Sequence, residues 1–288
     1  MAATTRVVDA HVHFWDPQVL HYPWLNETPS LCRAFGPTDY EELHAGAVSA
    51  AVFVEANCHP DETLDEVRFV EGIADANPSI AGIVAYLGIG NSRETFDTLE
   101  RLAERPRVVG MRHNIQGHAP GYCTTTAFVD AARALGRRGL PFDLCITASQ
   151  LEDARTLVAR CPDTLFVLDH CGKPAIRHDA FDPWAADLER LARHDNVACK
   201  LSGLLTEARD DQRNDRVILP YAEHALRCFG DSRMLYGSDW PVVRVAGGAA
   251  AWRPMVDRFT SAWSPSARQA FFADNAIRLY RLPLHVAS

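Results

Sequence analysis

The chain alternates short, wholly apolar segments with longer amphipathic ones, and this alternation constrains its fold more than any other feature. Residues 49–55 are typical of a buried β-strand, and residues 61–77 then carry one apolar stripe at helical spacing. Strands are predicted from Val7 and over 49–55, 80–87, 107–111, 141–146, 165–168, 197–201 and 234–236. Helices are predicted from about Thr38 and over 61–77, 93–104, about 128–135, 151–160, 184–193, 217–229 and 267–280.

Strands that are apolar throughout suit a parallel sheet covered on both faces, whereas half-exposed strands alternate polar and apolar residues. Eight such strands separated by helices predict the α/β class and a (β/α)8 barrel of the TIM type. The competing doubly wound sheet is disfavoured because no Gly-x-Gly-x-x-Gly follows the first strand. No linker rich in Pro, Gly or Ser divides the chain, so one domain is predicted over residues 1–288.

Three predicted strands end in side chains that can carry chemistry. The first ends in His11 and His13, the sixth ends at His170, and the eighth is followed by Asp239. In an extended chain, residues two apart point to the same side, so His11 and His13 are expected to project together. Active sites of such barrels lie at the carboxyl ends of the strands, which predicts that these four groups converge.

Other candidates stand at strand exits, and each has a structural alternative. Arg112 is expected to grip a ligand, the alternative being a salt bridge, and His113 beside it contacts substrate or only packs. Glu55 contacts substrate or caps the next loop. Lys200 contacts substrate or pairs with Asp143 or Asp169.

Two tryptophans, Trp15 and Trp240, flank the predicted site. Each offers an aromatic face on which a carbohydrate ring lies well, the alternative being rim packing. The long irregular stretch from Pro17 to Pro37 is rich in aromatic residues, which favours a loop folded over something.

Composition excludes several classes of partner. The formal charge of −8 with no offsetting basic patch argues against nucleic acid and anionic membranes as partners. The eight cysteines form no Cys-x-x-Cys pair, which argues against a thiolate zinc site. The beginning of the sequence lacks the apolar run of a signal peptide, so we expect a reduced, cytoplasmic protein that acts on a small molecule. Homodimer formation is left open.

Three motifs together resemble the amidohydrolase superfamily, and more narrowly its sugar-lactonase branch. They are Asp-Ala-His-Val-His-Phe-Trp over 9–15, Asp-His-Cys-Gly-Lys-Pro over 169–174, and Tyr-Gly-Ser-Asp-Trp-Pro over 236–241. Residues 110–114 and 199–204 also match that branch. The resemblance implies a hydrolase that opens a lactone of a sugar acid or a related small acid. A decarboxylase of an aromatic or muconate-type acid is the alternative within the same superfamily.

Lactone hydrolysis needs an activated water, a stabilised oxyanion and a proton for the leaving oxygen. Asp239 is the expected general base, with His11, His13, His170 and Arg112 as the remaining catalytic candidates. Trp15, Glu55, His113, Lys200 and Trp240 are the candidates for substrate binding. His11, His13, His170 and Asp239 can hold one zinc or manganese ion. Members of the branch that work without metal leave a metal-independent reaction open. Residues 141–150 lack the histidine that relatives with two metal ions usually carry at the end of the fifth strand, so the resemblance does not imply a two-metal centre.

Overall fold

The computed structural model describes residues 6–44 and 48–284. Eight parallel strands follow one another around a single sheet in chain order. The strands are β1 (Val8–Val12), β2 (Ala50–Val54), β3 (Ile80–Tyr86), β4 (Val108–Asn114), β5 (Phe142–Cys145), β6 (Phe166–Leu168), β7 (Val197–Leu201) and β8 (Met234–Tyr236). The helices are α1 (Pro37–His44), α2 (Thr63–Ala76), α3 (Ser92–Ala103), α4 (Thr126–Arg138), α5 (Leu151–Arg160), α6 (Phe181–Ala192), α7 (Asp215–Phe229), α8 (Ala249–Phe259), α9 (Pro265–Gln269) and α10 (Asn275–Leu279). The predicted (β/α)8 barrel is confirmed.

The barrel closes between the first and last strands. The amide of His13 donates to the carbonyl of Trp240 at 2.7 Å, and the amide of Asp239 donates to the carbonyl of His11 at 2.9 Å. The backbone that closes the sheet therefore carries four of the predicted site residues, and it holds them beside one another.

The strands lie between two apolar layers, one outside the barrel and one inside it. Alternate strand residues such as Phe53, Leu144 and Phe166 pack outward in the layer that also includes helix residues. A second cluster draws residues from seven of the strands and from the segment around α10, including Val52, Val167, Ile277 and Tyr280, and it fills the barrel interior.

The structure differs from the predicted elements in two places. Strand β4 continues to Asn114, because Arg112, His113 and Asn114 pair with β5, so Arg112 lies within the strand rather than beyond it. Helix α8 was not predicted, and the predicted last helix is α9 and α10 joined by a π-helical turn over Ala270–Asp274. The single domain over residues 1–288 stays a prediction.

The loop that follows β1 lies over the mouth of the barrel, whereas its aromatic content had predicted only that it folds over something. Its ends are tied together where Trp15 and Phe35 exchange backbone hydrogen bonds of 3.1 and 2.9 Å. Between them it forms short 3₁₀ turns over Pro23–Glu27 and Pro29–Leu31. No helix in the described ranges has the length and apolar character needed to cross a membrane.

Candidate active site

The His-x-His pair leaves the end of β1 with both imidazoles on the same side. The Nε2 atoms of His11 and His13 lie 3.2 Å apart, while Val12 between them packs into the outer apolar layer. The pairing of β1 with β2 shifts register between Asp9 and Val12, which marks a β-bulge. Ala10 packs with the barrel interior and Val12 with the outer layer, so the regular alternation along β1 breaks at this shift.

The partners of the other ring nitrogens orient these two imidazoles. Nδ1 of His13 lies 2.8 Å from the carbonyl oxygen of Val54, which can only accept, so Nδ1 carries the proton and Nε2 presents a lone pair. Nδ1 of His11 lies 3.3 Å from the Asp169 carboxylate. Burial lowers the pKa of His11 well below its ordinary value and outweighs the opposing charge of Asp169, so His11 is neutral.

His170 follows β6 in a left-handed turn, with φ between 46° and 71° for residues 170–173. Its Nδ1 lies 2.9 Å from the Ser202 hydroxyl, and its ring centroid lies 4.5 Å from that of His11. Gly203 makes room for the ring, because a Cβ at that position would lie 2.5 Å from His170 Nδ1. Burial lowers the pKa of His170 to about 4, so this imidazole is also neutral at pH 7.

Asp239 follows β8 and is surrounded by the three imidazoles. Its Oδ1 lies 3.5 Å from Nε2 of His13, 3.8 Å from Nε2 of His11 and 3.9 Å from Nε2 of His170. Burial acts to raise the pKa of the carboxyl, but the three neighbouring histidines, His170 most strongly, hold it below its usual range. Asp239 is therefore an ionised carboxylate at neutral pH.

The donor atoms of this cluster fit one divalent metal ion. Ligand atoms of His11, His170 and Asp239 lie within 4.8 Å of one another, and His13 Nε2 faces the same point. Tetrahedral zinc with bonds of about 2.0–2.1 Å separates its ligand atoms by about 3.4 Å, close to the spacings found here. Neutral imidazoles and an ionised carboxylate are also the protonation states that metal binding requires.

The charges behind the cluster favour a cation as well. A connected set of buried side chains contains four carboxylates and two cations, leaving two negative charges in excess. These are Glu55, Asp143, Asp169 and Asp239 with Arg112 and Lys200. A divalent ion between the histidines would neutralise that excess in a region where unpaired charge is costly.

Lys200 lies inside the barrel, beneath His11. Its Nζ lies 2.5 Å from Asp143 Oδ2, 3.0 Å from Asp169 Oδ1 and 3.2 Å from His11 Nδ1. The phenol of Tyr280 donates to the Asp143 carboxylate from the other side, at 2.8 and 2.9 Å. Lys200 therefore pairs with both of the carboxylates named as its structural alternatives, and its side chain is fully buried.

Arg112 links this network to the loop after β2. Its Nε donates to Glu55 Oε1 at 2.6 Å, its Nη2 to the Glu55 carbonyl at 2.6 Å, and its Nη1 to Asp169 Oδ2 at 3.2 Å. The other Glu55 oxygen accepts from the amide of Asn57 at 2.7 Å. Glu55 thus fixes both the guanidinium and the loop. Burial acts to lower the pKa of Arg112, but the charge of Glu55 and other nearby groups raises it well above its ordinary value.

A cavity of about 440 Å³ opens above the cluster. His13, His170, Asp239 and Arg112 reach its floor. The lining includes the ring side chains of Trp15, Pro23 and Trp24. It also includes the polar side chains of Asn57, Asn114, Gln116, Lys173 and Thr206. A ligand with an apolar face and a hydroxylated rim fits such a cavity.

The structure brings only some of the predicted substrate contacts to this cavity. Trp15 lines it, held by indole hydrogen bonds to the carbonyls of Leu31 and Arg33. Glu55, Lys200 and Trp240 are fully buried and do not line it, which departs from their predicted role in direct contact.

The causes of these departures differ. The carboxylate of Glu55 and the ammonium of Lys200 are held by buried charges from other strands. Trp240 packs instead against Phe14, Phe35 and Tyr40, so it supports the loop over the mouth rather than facing the cavity.

His113 lies beside a neighbouring cavity of about 740 Å³ rather than above the cluster. Its Nδ1 donates to the Leu87 carbonyl at 2.8 Å, and its Nε2 lies 3.1 Å from the Tyr122 hydroxyl. Burial lowers its pKa. Successive side chains along β4 point to opposite faces of the sheet. Arg112 therefore points into the barrel, and His113 points outward.

The sequence analysis missed several cavity residues, of which Trp24 and Lys173 matter most. The indole of Trp24 donates to the Ala56 carbonyl at 2.8 Å, and its ring meets that of Trp15 edge-on at 5.2 Å. The signal available was the Tyr-Pro-Trp-Leu segment at the centre of the predicted covering loop.

Known proteins resemble this chain over almost its full length. The amidohydrolase family profile matches residues 8–282. L-fucono-1,5-lactonases of Burkholderia ambifaria and Burkholderia multivorans are 33% and 34% identical, over 96% of this chain and 95% and 96% of theirs. A crystal structure of an amidohydrolase from Burkholderia multivorans with bound zinc superposes with a TM-score of 0.85 at 32% identity, over 96% of this chain and 100% of that one. The resemblance inferred from the three motifs is confirmed, and the chain belongs to the amidohydrolase family.

Proposed function

We propose that this amidohydrolase opens the ring of a small sugar lactone by adding water across the ester bond. The observation that carries the proposal is the ionised Asp239 at the floor of the cavity, with three imidazole Nε2 atoms within 3.9 Å of it. Relatives at 33% and 34% identity that match nearly the whole chain are L-fucono-1,5-lactonases, which supports this substrate class.

The cavity walls support a sugar-derived ring in particular. Such a ring has an apolar C–H face, which suits the faces of Trp15 and Trp24, and a hydroxylated rim, which suits Asn57, Asn114 and Thr206. Binding of this kind holds the ester carbon above Asp239. The reacting groups are then positioned before the reaction begins.

In the proposed reaction, Asp239 accepts a proton from water as the water oxygen bonds to the carbonyl carbon. The ring C–O bond then breaks, and the same proton passes from Asp239 to the leaving ring oxygen, giving one hydroxy acid. His11, His13 and Arg112 keep the water and the carboxylate in place, while the loop after β1 limits access of bulk solvent.

His11, His13, His170 and Asp239 are the residues that would hold a divalent metal, zinc or manganese. Bound there, the metal would supply Lewis-acid polarisation of the ester carbonyl. The bound zinc of a 32% identical amidohydrolase supports zinc as the first ion to test.

The test is direct assay of the purified protein against L-fucono-1,5-lactone, other aldonolactones and a pyrone lactone, by proton release. Consumption of one water and appearance of one acid group per turnover support the proposal. If the protein is instead a decarboxylase, it should release carbon dioxide from an aromatic or muconate-type acid. Absence of acid release from the entire lactone panel contradicts the proposed function. A cytoplasmic location and a homodimer stay predictions.

A further inference from the structure

Lysine is nearly absent from this protein, and both lysines lie at the site. The sequence holds 29 basic residues, of which only Lys173 and Lys200 are lysine and all others are arginine. Lys200 is fully buried beneath His11, whereas Lys173 lines the cavity. A chain that uses arginine almost everywhere retains a compact, flexible ammonium at these two positions, where a planar guanidinium has different geometry.

The backbone presents Lys173 to the cavity at a conformational cost. It is the last residue of the left-handed turn that begins at His170, and its own φ is 46°. Three of the four residues in this turn are not glycine, although the left-handed region disfavours any residue with a Cβ. The turn is held by the amide of Lys173, which donates to the His170 carbonyl at 2.9 Å, and by the Trp184 indole, which donates to the Cys171 carbonyl at 2.8 Å.

Arg112 and Lys173 both line the cavity, but their side chains have different partners. Arg112 is bound by the carboxylates of Glu55 and Asp169. In residues 6–44 and 48–284, no carboxylate oxygen lies within 4.0 Å of Lys173 Nζ, whose partner is the Gln116 side-chain oxygen at 2.5 Å. Because Gln116 is neutral, it does not offset the positive charge of Lys173. Two of the three ammonium protons stay available to donate to a ligand.

We propose that the Lys173 ammonium binds the carbonyl oxygen of the lactone and the carboxylate which that group becomes. This assignment rests on the proposed function and moves the cationic role expected of Arg112 to a residue that makes no ion pair within 4.0 Å among the described residues. Negative charge grows on the carbonyl oxygen as water adds, and a positioned cation stabilises it more in the transition state than in the neutral lactone. The same contact binds the ring-opened acid, so it contributes to product affinity.

The chain has two lysines, and Lys200 is fully buried. A reagent that modifies accessible amines therefore reports on Lys173. We would methylate the intact protein reductively and map the modified peptides by mass spectrometry. We expect label at Lys173 and not at Lys200, and slower labelling of Lys173 in the presence of L-fuconate than with sulfate at equal ionic strength. Equal labelling rates in the two salts contradict the proposal.

Kinetics of Lys173→Met separate substrate binding from a purely structural role. Methionine, like lysine, has an unbranched side chain of similar length, and the strain in the backbone at position 173 stays the same. We therefore expect an unchanged melting temperature. We expect kcat/KM to fall about 100-fold or more, mainly through kcat, and inhibition by L-fuconate to weaken at least tenfold. Lys173→Arg, which keeps the charge, should recover product inhibition better than it recovers kcat.

Arg93→Met is the matched control, because it removes a positive charge from an exposed side chain on α3. This variant should leave kcat/KM and the inhibition by L-fuconate unchanged. An active wild type with unaltered kinetics in Lys173→Met overturns the role of Lys173 and leaves the proposed function standing. A wild type that opens no lactone contradicts both.

Discussion

The ammonium of Lys200 lies 2.5 Å from the carboxylate of Asp143, although the two residues lie on β7 and β5 and neither side chain is exposed to solvent. Asp169 and Tyr280 complete this arrangement. Burial raises the pKa of Asp143 to about 6, and the ammonium of Lys200 opposes that rise. The stability of the barrel interior and the position of His11 therefore depend on the same lysine.

Replacing Lys200 with Met should destabilise the protein by about 3–5 kcal/mol, because it leaves the buried Asp143 carboxylate without its cation and leaves Asp169 with Arg112 alone. The measurement is urea unfolding followed by circular dichroism. Lys173→Met serves as the comparison, since it also removes a lysine but leaves no buried carboxylate unpaired. Equal stability of the two variants would show that the Lys200 network contributes little.

Replacing Asp239 with Asn should lower kcat/KM by about 10²–10⁴-fold, because the amide cannot accept a proton from water. The fold should persist, since Asn has the same shape, and any fall in melting temperature should not exceed the fall caused by chelation. Lactone hydrolysis at saturating and limiting substrate gives both constants, and Asp97→Asn on α3, an exposed position, is the control. Near-native turnover in Asp239→Asn would exclude it as the general base.

Replacing Gly203 with Ala should displace His170. The added Cβ would lie 2.5 Å from His170 Nδ1, and the φ of +65° at this position disfavours any Cβ. We expect a loss of at least about 1 kcal/mol of stability together with weaker metal binding. Gly72→Ala, where the same addition meets nothing within 4 Å, should be harmless by both measurements.

Metal content should be close to one divalent ion per chain by mass spectrometry of the purified protein. His170→Asn should reduce it strongly, while the exposed His178→Asn should not. Extended chelation should lower the melting temperature, because a ligand that binds only the folded state stabilises it. Full metal content in His170→Asn would place the ion elsewhere.

Replacing Glu66 with Gln should stabilise the protein at pH 8 and leave it unchanged near pH 4.5. Glu66 is buried, and burial with the charge of Glu55 raises its pKa from 4.5 to about 8. Between these values the folded chain holds a proton that the unfolded chain releases, so wild-type stability falls as pH rises. The slope reaches about 1.4 kcal/mol per pH unit, and glutamine removes it.

Urea midpoints of both proteins at pH 4.5 and pH 8 provide the test. A gain of the same size at both pH values would mean that Glu66 is ionised in the folded protein near neutral pH.

Local chemistry was sufficient to predict the barrel and the four groups at its centre. Strands that are apolar throughout indicate a sheet covered on both sides, and the period of two along an extended chain places His11 and His13 together. The carboxyl ends of parallel strands share one edge, so His170 and Asp239 had to lie near them. Each of these inferences depends on short stretches of backbone.

Tertiary structure alone decided which strand-exit residues face the cavity. Glu55 and Lys200 are held away from it by Arg112, Asp143 and Asp169, which come from other strands. Trp240 is covered by the loop after β1, and Trp24 enters the cavity because that loop folds back over the mouth. Such contacts join residues far apart in the chain, so their outcome depends on how buried charges pair and how rings pack rather than on local spacing.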